Sequence, residues 1–287
     1  MKKRKPMRGE FHLLLATLLA AVGWIASKIV IESVPGDIFL SVRFLFASLI
    51  LFPFCYKKVL RLNFKQVISV CSVGLILAVS MKVWVYAMSI TASVSEGAFI
   101  MSLAMIIAPF TSWLFFRQRP NRAFWFALPI AIAGMMLMTL SNGWQVEKSQ
   151  WCFLLASALL SMHFVFNKKM SSSVKPLISI FIQLLTVGIF TALFAVFNEQ
   201  AHFELTNYVI VWFVISAVVA TSIRYLLQTM GQLSIKIETA ALIMILEPIW
   251  TLLMSMVVLG EILETQKLIG AAIIFLSLFL YIKLSRR

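Results

Sequence analysis

The 287-residue chain is 61% apolar and only 13% charged, and its mean hydropathy is +0.97. Soluble domains are about 45–50% apolar and about 25% charged, so this composition leaves too little polar surface for a water-soluble globule. The net charge of +14 would favour nucleic-acid binding in a soluble protein. Here the basic residues gather at the ends of apolar segments, which is typical of a membrane protein and leaves no predicted nucleic-acid partner.

Ten apolar stretches follow one another along the chain, and each is long enough, or nearly so, to cross about 30 Å of hydrocarbon as a helix. They cover residues 11–31, 38–56, 67–88, 97–116, 123–140, 151–167, 177–197, 208–230, 239–259 and 268–284. The connections have about ten residues at most, too few for an independently folded domain. The sequence therefore predicts an all-α integral membrane protein with ten transmembrane helices.

Charged residues are divided unequally between the two ends of these stretches. If both termini lie on one side, the segments on that side carry 19 of the 25 Lys and Arg residues, whereas the opposite side carries two, Lys148 and Lys267. Eight of the eleven acidic residues fall on the opposite side: Glu32, Asp37, Glu96, Glu147, Glu199, Glu204, Glu261 and Glu264. The positive-inside rule then predicts a multi-pass protein of the cell (inner) membrane with both termini in the cytoplasm.

The two halves of the chain share short sequence features. Ser80-Met81-Lys82 is echoed by Ser222-Ile223-Arg224, 142 positions later, and Pro109 is echoed by Pro248, 139 positions later. Five stretches per half is an odd number, so the second half enters the membrane upside down relative to the first. This predicts two inverted five-helix repeats, over residues 1–145 and 146–287. Inverted repeats are typical of secondary transporters, because two related halves allow two packings that open to opposite sides.

Several short motifs resemble those of EamA-type proteins of the drug/metabolite transporter superfamily. In the second half they are Glu247-Pro248, Gly260-Glu261 and Gly270-Ala271-Ala272, in the order helix, tight acidic turn, helix. In the first half they are Gly23-Trp24, Lys28 and Arg43. The likeness covers essentially the whole chain, but Arg117-Gln118-Arg119-Pro120 stands where the family usually has a Gly-Glu turn, and Pro109 lacks the preceding Glu. The resemblance implies a transporter, since known members export amino acids and other small metabolites or carry sugar phosphates and nucleotide sugars.

The ionisable residues inside the predicted spans are the candidates for function, because burying a charge in a bilayer is costly. They are Lys28, Arg43, Lys82, Arg224 and Glu247, with His163 as a further polar group. Lys82 and Arg224 occupy matched positions and are expected to project into a shared cavity, with Tyr86 and Gln228 one helical turn further on. The alternative for both cations is snorkelling to the membrane surface.

Other candidate residues have structural alternatives of the same kind. Pro109 and Pro248 each remove a backbone hydrogen bond, so they are predicted hinges, or else static kinks. Glu247 and His163 are candidates for ion coupling, although a lone His is often a packing residue. Trp24 and Trp250 would stack on a substrate, or else belong to the core. Four basic groups against one acid predict an electropositive cavity for an organic anion or a zwitterion.

The motifs that are missing narrow the function further. The chain has no Gly-x-x-x-x-Gly-Lys-Ser/Thr loop, a single Asp and no metal-ligand spacing, so we expect no ATP hydrolysis, no cofactor and no metal. The favoured hypothesis is a secondary transporter, not an enzyme, that exports an amino acid or organic anion by alternating access. An intramembrane enzyme built on His163 and Glu247, or a non-transporting scaffold, remain the alternatives. The expected partners are a small metabolite, the lipid bilayer and, as an open option, a second copy in a homodimer.

Overall fold

The computed structural model describes residues 8–117, 119, 122–139, 146–197, 205–235, 240, 243–262 and 265–285. These residues form helices joined by short turns, without β-strands. The helices are α1 Arg8–Ile31, α2 Gly36–Val59, α3 Phe64–Ile90, α4 Val94–Phe116, α5 Arg122–Thr139, α6 Lys148–Met170, α7 Pro176–Val196, α8 Asn207–Ser234, α9 Leu246–Leu259 and α10 Thr265–Ser285. The basic tails at 1–7 and 286–287, and the predicted turn residues Gln118 and Pro120, lie outside the described residues.

Seven of these helices are long and apolar enough to cross a membrane: α1, α2, α3, α4, α6, α7 and α8. The apolar parts of the other three described helices are shorter, at 122–134, 246–259 and 265–281. The prediction of an all-α membrane protein is therefore confirmed. The count of ten transmembrane spans stays a prediction.

Polar residues before the apolar runs set where several helices begin. The Asn63 side chain accepts a hydrogen bond from the backbone N–H of Gln66, whose own side chain accepts from the Asn63 N–H, forming a capping box at the start of α3. Ser93 accepts from the Glu96 N–H at the start of α4. Such caps satisfy backbone donors that have no partner within the helix, so they position the helix ends.

The helix contacts follow a pseudo-two-fold pattern. The pairs α2 with α7, α5 with α10 and α4 with α9 each join matched helices of the two halves. The contact of α3 with α6 has its counterpart in α8 with α1, and that of α4 with α6 has its counterpart in α9 with α1. Exchanging α1–α5 for α6–α10 therefore reproduces the main packing contacts.

Two lysines, 140 positions apart, illustrate this relationship at the level of single contacts. Lys28 Nζ donates to the carbonyl oxygen of Thr91 (3.1 Å), just after the end of α3. Lys168 Nζ donates to the carbonyl oxygens of Gln232 (2.9 Å) and Ile235 (2.6 Å), at the end of α8. Carbonyls at a helix C-terminus lack partners within the helix and carry partial negative charge, so a lysine stabilises both ends in the same way.

An irregular residue occurs at equivalent places in α4 and just before α9. The regular α-helix is interrupted for one residue at Leu103 and at Ile245, where φ and ψ of −58° and −21° and of −63° and −21° stay in the right-handed helical region. Pro248 follows the second interruption by three residues and removes a backbone donor there. In α4 the helix continues through Pro109, and the interruption lies six residues earlier, so the role of Pro109 as a hinge or a static kink stays a prediction.

Both helices also end in the left-handed region. Arg117 has φ 55° and Gly260 has φ 65°, and they are 143 positions apart. Glycine adopts this conformation freely, whereas a residue with a Cβ loses about 1–2 kcal/mol in it. The turn that carries Gly-Glu in the second half thus keeps its backbone shape at Arg117 in the first half, despite the different side chain.

Candidate functional site

A cavity of about 70 Å³ lies between α1, α2, α3, α4, α6, α8 and α9. This space exceeds the roughly 10–15 Å³ that one buried water needs, but it is below the roughly 300–1,000 Å³ of typical ligand pockets, so a metabolite would have to widen it. Its polar lining residues include Trp24, Arg43, Arg224, Gln228 and Glu247. These groups come from both halves of the chain, so the cavity lies at the interface of the two.

Glu247 is the acidic group of the cavity lining, and its two carboxylate oxygens have different partners. Trp24 Nε1 donates to Oε1 (2.9 Å), and the Arg224 NH2 nitrogen donates to Oε2 (3.3 Å). The side chains of Arg224 and Glu247 are only 13% and 16% exposed. The pair therefore lies largely away from solvent, where each charge depends on the other for stabilisation.

Arg224 follows an irregular turn of α8. Residues Val218–Ile223 form a π-helical segment, a conformation that is rare and often found at functional sites. Within it the Thr221 hydroxyl donates to the Ser216 carbonyl (2.8 Å), five residues earlier. The wider turn places Arg224 against the Tyr225 ring, with 4.5 Å between the guanidinium carbon and the ring centroid.

Two polar atoms of the lining have no hydrogen-bond partner among the described residues. They are Arg224 Nε and Gln228 Oε1, and both are buried. An unsatisfied buried donor or acceptor costs about 1–3 kcal/mol, so it is usually paired with water or a ligand. The cavity therefore offers a cationic donor on Arg224 and an acceptor on Gln228, one helical turn apart on α8.

Arg43 supplies a second positive charge to the cavity wall. Its Nε donates to Thr221 Oγ1 (2.6 Å) and its NH1 donates to Ser27 Oγ (2.8 Å). No carboxylate forms an ion pair with Arg43 in the described part of the chain. With Arg43 and Arg224 against Glu247, the lining carries a net charge of about +1, which agrees in sign with the electropositive cavity expected from the sequence.

Gly23 allows α1 to approach α8 closely beside these arginines. A Cβ at this position would lie 2.9 Å from the Ala220 Cβ and 3.6 Å from the Arg43 NH2 nitrogen. The 2.9 Å contact with Ala220 is shorter than real Cβ contacts, so any larger residue would push the two helices apart. The close helix contact at Gly23 therefore also fixes the position of the neighbouring Trp24.

Trp24 belongs to an aromatic cluster and also to the polar site. Its ring meets Trp84 edge-on, with centroids 5.3 Å apart, and lies 5.9 Å from Phe153. The N–H meanwhile points to Glu247. Trp24 therefore positions the Glu247 carboxylate from a rigid aromatic support, a role that the sequence analysis missed. Trp84 lines the cavity too, and no motif distinguished it.

The expectation that Lys82 projects into the same cavity as Arg224 is wrong. Lys82 Nζ forms an ion pair with Asp37, lies 5.0 Å from the Phe194 ring centroid and is absent from the cavity lining. The two matched cations differ in their partners, because Lys82 pairs with Asp37 at the start of α2, whereas Arg224 pairs with Glu247 in the cavity. Lys82 consequently lies beside the first turn of α2 and the last turn of α7, whereas its sequence position suggested the middle of a span.

Four other predicted residues also lie off the cavity. Tyr86 is 43% exposed and has Lys148 Nζ 5.3 Å from its ring centroid. Trp250 is not in the lining, and its indole N–H has no partner among the described residues. Pro109 lies in α4 outside the lining, whereas Pro248 is part of it. The fourth residue is His163, which belongs to a separate network.

His163 is buried in a network of neutral side chains between α6 and α7. His163 Nε2 and Gln183 Oε1 are 2.9 Å apart, and Gln183 Nε2 donates to Asn167 Oδ1 (3.0 Å) and to Ser179 Oγ (2.8 Å). No hydrogen bond joins His163 to Glu247 in the described structure. The pair that an intramembrane enzyme would require is therefore not assembled in this conformation.

A polar cluster closes one end of α4, α6, α9 and α10. Its residues lie in or next to separate loops of the sequence. The Glu261 carboxylate, after the left-handed Gly260, accepts hydrogen bonds from Ser93 Oγ, from Ser95 Oγ (2.7 Å) and from the Ser95 backbone N–H (3.4 Å). Next to it Glu96 accepts from Gln150 and lies 3.6 Å from Lys267 Nζ. A carboxylate at a helix N-terminus is stabilised by the free N–H groups, so these contacts hold α9 and α10 against α4 and α6.

The chain resembles known proteins over nearly its whole length. A protein of Archaeoglobus fulgidus named "uncharacterized transporter" is 26% identical over 278 residues, which are 96% of this chain and 86% of the relative. A crystal structure with 15% sequence identity covers 97% of this chain and 96% of its own, with a TM-score of 0.69, which shows a shared fold.

The sequence pattern of one family matches both halves of the chain. The EamA-like transporter family, which is part of the drug/metabolite transporter superfamily, matches residues 7–140 and again residues 148–283. The family and the transporter-named relative indicate a multi-pass membrane transporter rather than an enzyme, in agreement with the apolar helices. The resemblance found in the motifs is confirmed, and this chain belongs to the EamA-like transporter family.

Proposed function

We propose that this protein is a secondary transporter that exports a small metabolite across the cytoplasmic membrane by alternating access. The observation that carries the proposal is the cavity between the two halves, which holds the largely buried Arg224–Glu247 ion pair. A buried ion pair facing an enlargeable space is costly for stability alone and is typical of a substrate pathway.

The two-fold pattern of contacts supports the alternating mechanism. Equivalent irregular residues, Leu103 within α4 and Ile245 just before α9, lie in the two matched helices that pack together beside the cavity. In this conformation the Glu261 and Glu96 contacts hold one end of these helices together. By the charge distribution this end faces the exterior, so opening it while the other end closes would expose the cavity to the outside.

The charge of the cavity favours an anionic group on the substrate. Two arginines and one glutamate line it, and Arg224 retains an unused donor. An amino acid or an organic anion fits this lining, with its carboxylate at Arg224 and any amine or hydroxyl donating to Gln228 Oε1. Lys82 has no part in this arrangement, because its partner is Asp37.

Transport by reconstituted protein tests the proposal. Liposomes containing the purified protein would be loaded with labelled amino acids and organic acids, and efflux would be followed together with the chemical identity of the released solute. We expect efflux of an unchanged solute, lost in Arg224→Gln and retained in the matched variant Lys82→Gln. Chemical conversion of the solute would favour the enzyme, and equal efflux from protein-free liposomes would favour the scaffold.

A further inference from the structure

Glu247 uses only part of the hydrogen-bonding edge that Arg224 presents. The Nε and NH2 nitrogens of a guanidinium form one edge, which matches the two oxygens of a carboxylate. Glu247 reaches NH2 with Oε2, but its Oε1 is held by Trp24 Nε1, and Arg224 Nε is left buried without a partner among the described residues. The internal carboxylate is therefore prevented from binding Arg224 in the bidentate way.

A carboxylate that arrives free of such a restraint can bind both nitrogens. In doing so it would take the NH2 donor on which Glu247 depends, so the substrate carboxylate and Glu247 compete for one cation. The cavity is narrow, and the side chain of Glu247 is 16% exposed. Displaced Glu247 would keep its bond from Trp24 but lose its ion pair, and an unpaired buried carboxylate is unfavourable unless it takes up a proton.

The other cations near Glu247 in the described structure are not ion-paired with it. The charged or titratable groups on the helices packed against α9, or in the cavity wall, are Arg8, Glu10, His12 and Lys28 on α1, Arg43 on α2, Glu96 on α4, and Arg224 and Tyr225 on α8. Lys28 is bound to the Thr91 carbonyl, and Arg43 to Ser27 and Thr221. In the described structure Arg224 is the residue that forms an ion pair with Glu247.

We propose that the cavity binds the carboxylate of its substrate and a proton together, with the carboxylate on Arg224 and the proton on Glu247. This rests on the proposed transport function and adds the coupled ion. The Arg224–Glu247 bond breaks, the substrate carboxylate bonds to Arg224 Nε and NH2, and Glu247 accepts one proton from water on the open side. Release reverses both steps, so one proton moves with each substrate carboxylate in the same direction. Export of the pair is then driven by a higher substrate concentration inside the cell, not by the proton gradient.

The protonation of Glu247 can be measured without any substrate, by infrared spectroscopy of the purified protein at pH 7. Removing the Arg224 charge leaves Glu247 without its ion pair, which is the state that a bound substrate carboxylate would produce. We expect Arg224→Gln and Arg224→Met each to show a carboxylic acid C=O band that corresponds to one protonated group per chain. The band should be absent from the wild type and from the double variants that also carry Glu247→Gln. Lys82→Gln, which removes a cation away from the cavity, is expected to leave the band absent.

Glu247 that stays ionised in a folded Arg224 variant would overturn the proposal. If neither variant folds, the wild type decides the matter with acetate as the carboxylate probe, which is expected to produce the same band at saturating concentration, and its absence overturns the proposal. Transport is a separate readout. If the band appears but no solute is transported, the proposed function is contradicted and the exchange on Arg224 stands. If solute is transported but Glu247 stays ionised throughout, the proposed function stands and the exchange is contradicted.

Discussion

The indole N–H of Trp24 lies 2.9 Å from Glu247 Oε1, a contact between residues that are 223 positions apart. It joins α1 to α9 and fixes one oxygen of the carboxylate that pairs with Arg224. The rest of the indole ring packs against Trp84 and Phe153, so its orientation is set by apolar contacts. Aromatic packing thus controls the geometry of a buried ion pair.

Trp24→Phe is expected to weaken substrate binding rather than abolish the fold. Phenylalanine keeps the contact with Trp84 but loses the donor, at a cost of about 1 kcal/mol in stability. Glu247 could then turn both oxygens to Arg224 and compete better with a substrate, which raises KM for transport. Trp250→Phe is the matched control, since its buried N–H has no partner among the described residues, and it should leave KM unchanged. An unchanged KM in Trp24→Phe would contradict this reading.

Glu261→Gln is expected to loosen the end of α4 that the carboxylate caps. The amide loses the charge that the Ser95 N–H and hydroxyl groups stabilise, at a cost of about 1–2 kcal/mol, so the melting temperature should fall. A cysteine placed at Ser93, in a background with Cys55, Cys71 and Cys152 replaced by Ser, should react faster with an impermeant thiol reagent.

Glu32→Gln serves as the control for that variant. Its carboxylate is 64% exposed and lies 3.9 Å from Lys28 Nζ, and such exposed pairs contribute about 0–1 kcal/mol at most. Neither stability nor the reactivity of the cysteine should change. Equal effects of the two substitutions would mean that the Glu261 contacts do not hold this end closed.

Pro248→Ala is expected to slow transport while leaving expression intact. Alanine restores a backbone donor beside the interruption at Ile245 and so favours a continuous helix. Pro109→Ala should have the smaller effect, because the interruption in α4 lies six residues away at Leu103. Initial transport rates normalised to folded protein provide the measurement. Loss of folded protein without a change in rate would indicate static kinks.

Gly23→Ala is expected to destabilise the protein by about 1–3 kcal/mol, since overpacked contacts force neighbouring elements apart. The new Cβ would lie 2.9 Å from the Ala220 Cβ, between α1 and α8. Thermal unfolding in detergent measures the effect. The double variant Gly23→Ala with Ala220→Gly removes the clash and should recover most of the stability. If Ala220→Gly does not recover the stability lost in Gly23→Ala, the contact between these two residues is not the source of the destabilisation.

A reporter fused after Arg287 tests the predicted orientation. An enzyme that is active only outside the cytoplasm should be silent there, because 19 basic residues lie on the side assigned to both termini and two on the other. The same reporter inserted after Glu147, at the start of α6, should be active. Activity at the C-terminal fusion would reverse the orientation and, with it, the side that the Glu261 contacts close.

Much of the architecture could be predicted from periodicity and charge alone. Apolar runs long enough for a bilayer dictate helices, because a backbone in hydrocarbon must satisfy its own hydrogen bonds. The echoes between Lys82 and Arg224 and between the two prolines indicated a repeated unit, and the motif around Glu247-Pro248 indicated the family. Arg43, Arg224, Gln228 and Glu247, which the sequence places within apolar runs, all line the cavity, since an ionisable or amide group in such a run has few other favourable places.

The partners of those groups were decided by the tertiary structure. Lys82 and Arg224 hold matched positions in sequence, yet one pairs with Asp37 near the helix ends and the other with Glu247 in the cavity. Which carboxylate lies opposite each cation depends on how the helices pack, and the local sequence pattern does not encode that packing. The Trp24–Glu247 bond likewise depends on packing between α1 and α9, which only the assembled helices define, because that contact is made between segments that no local interaction brings together.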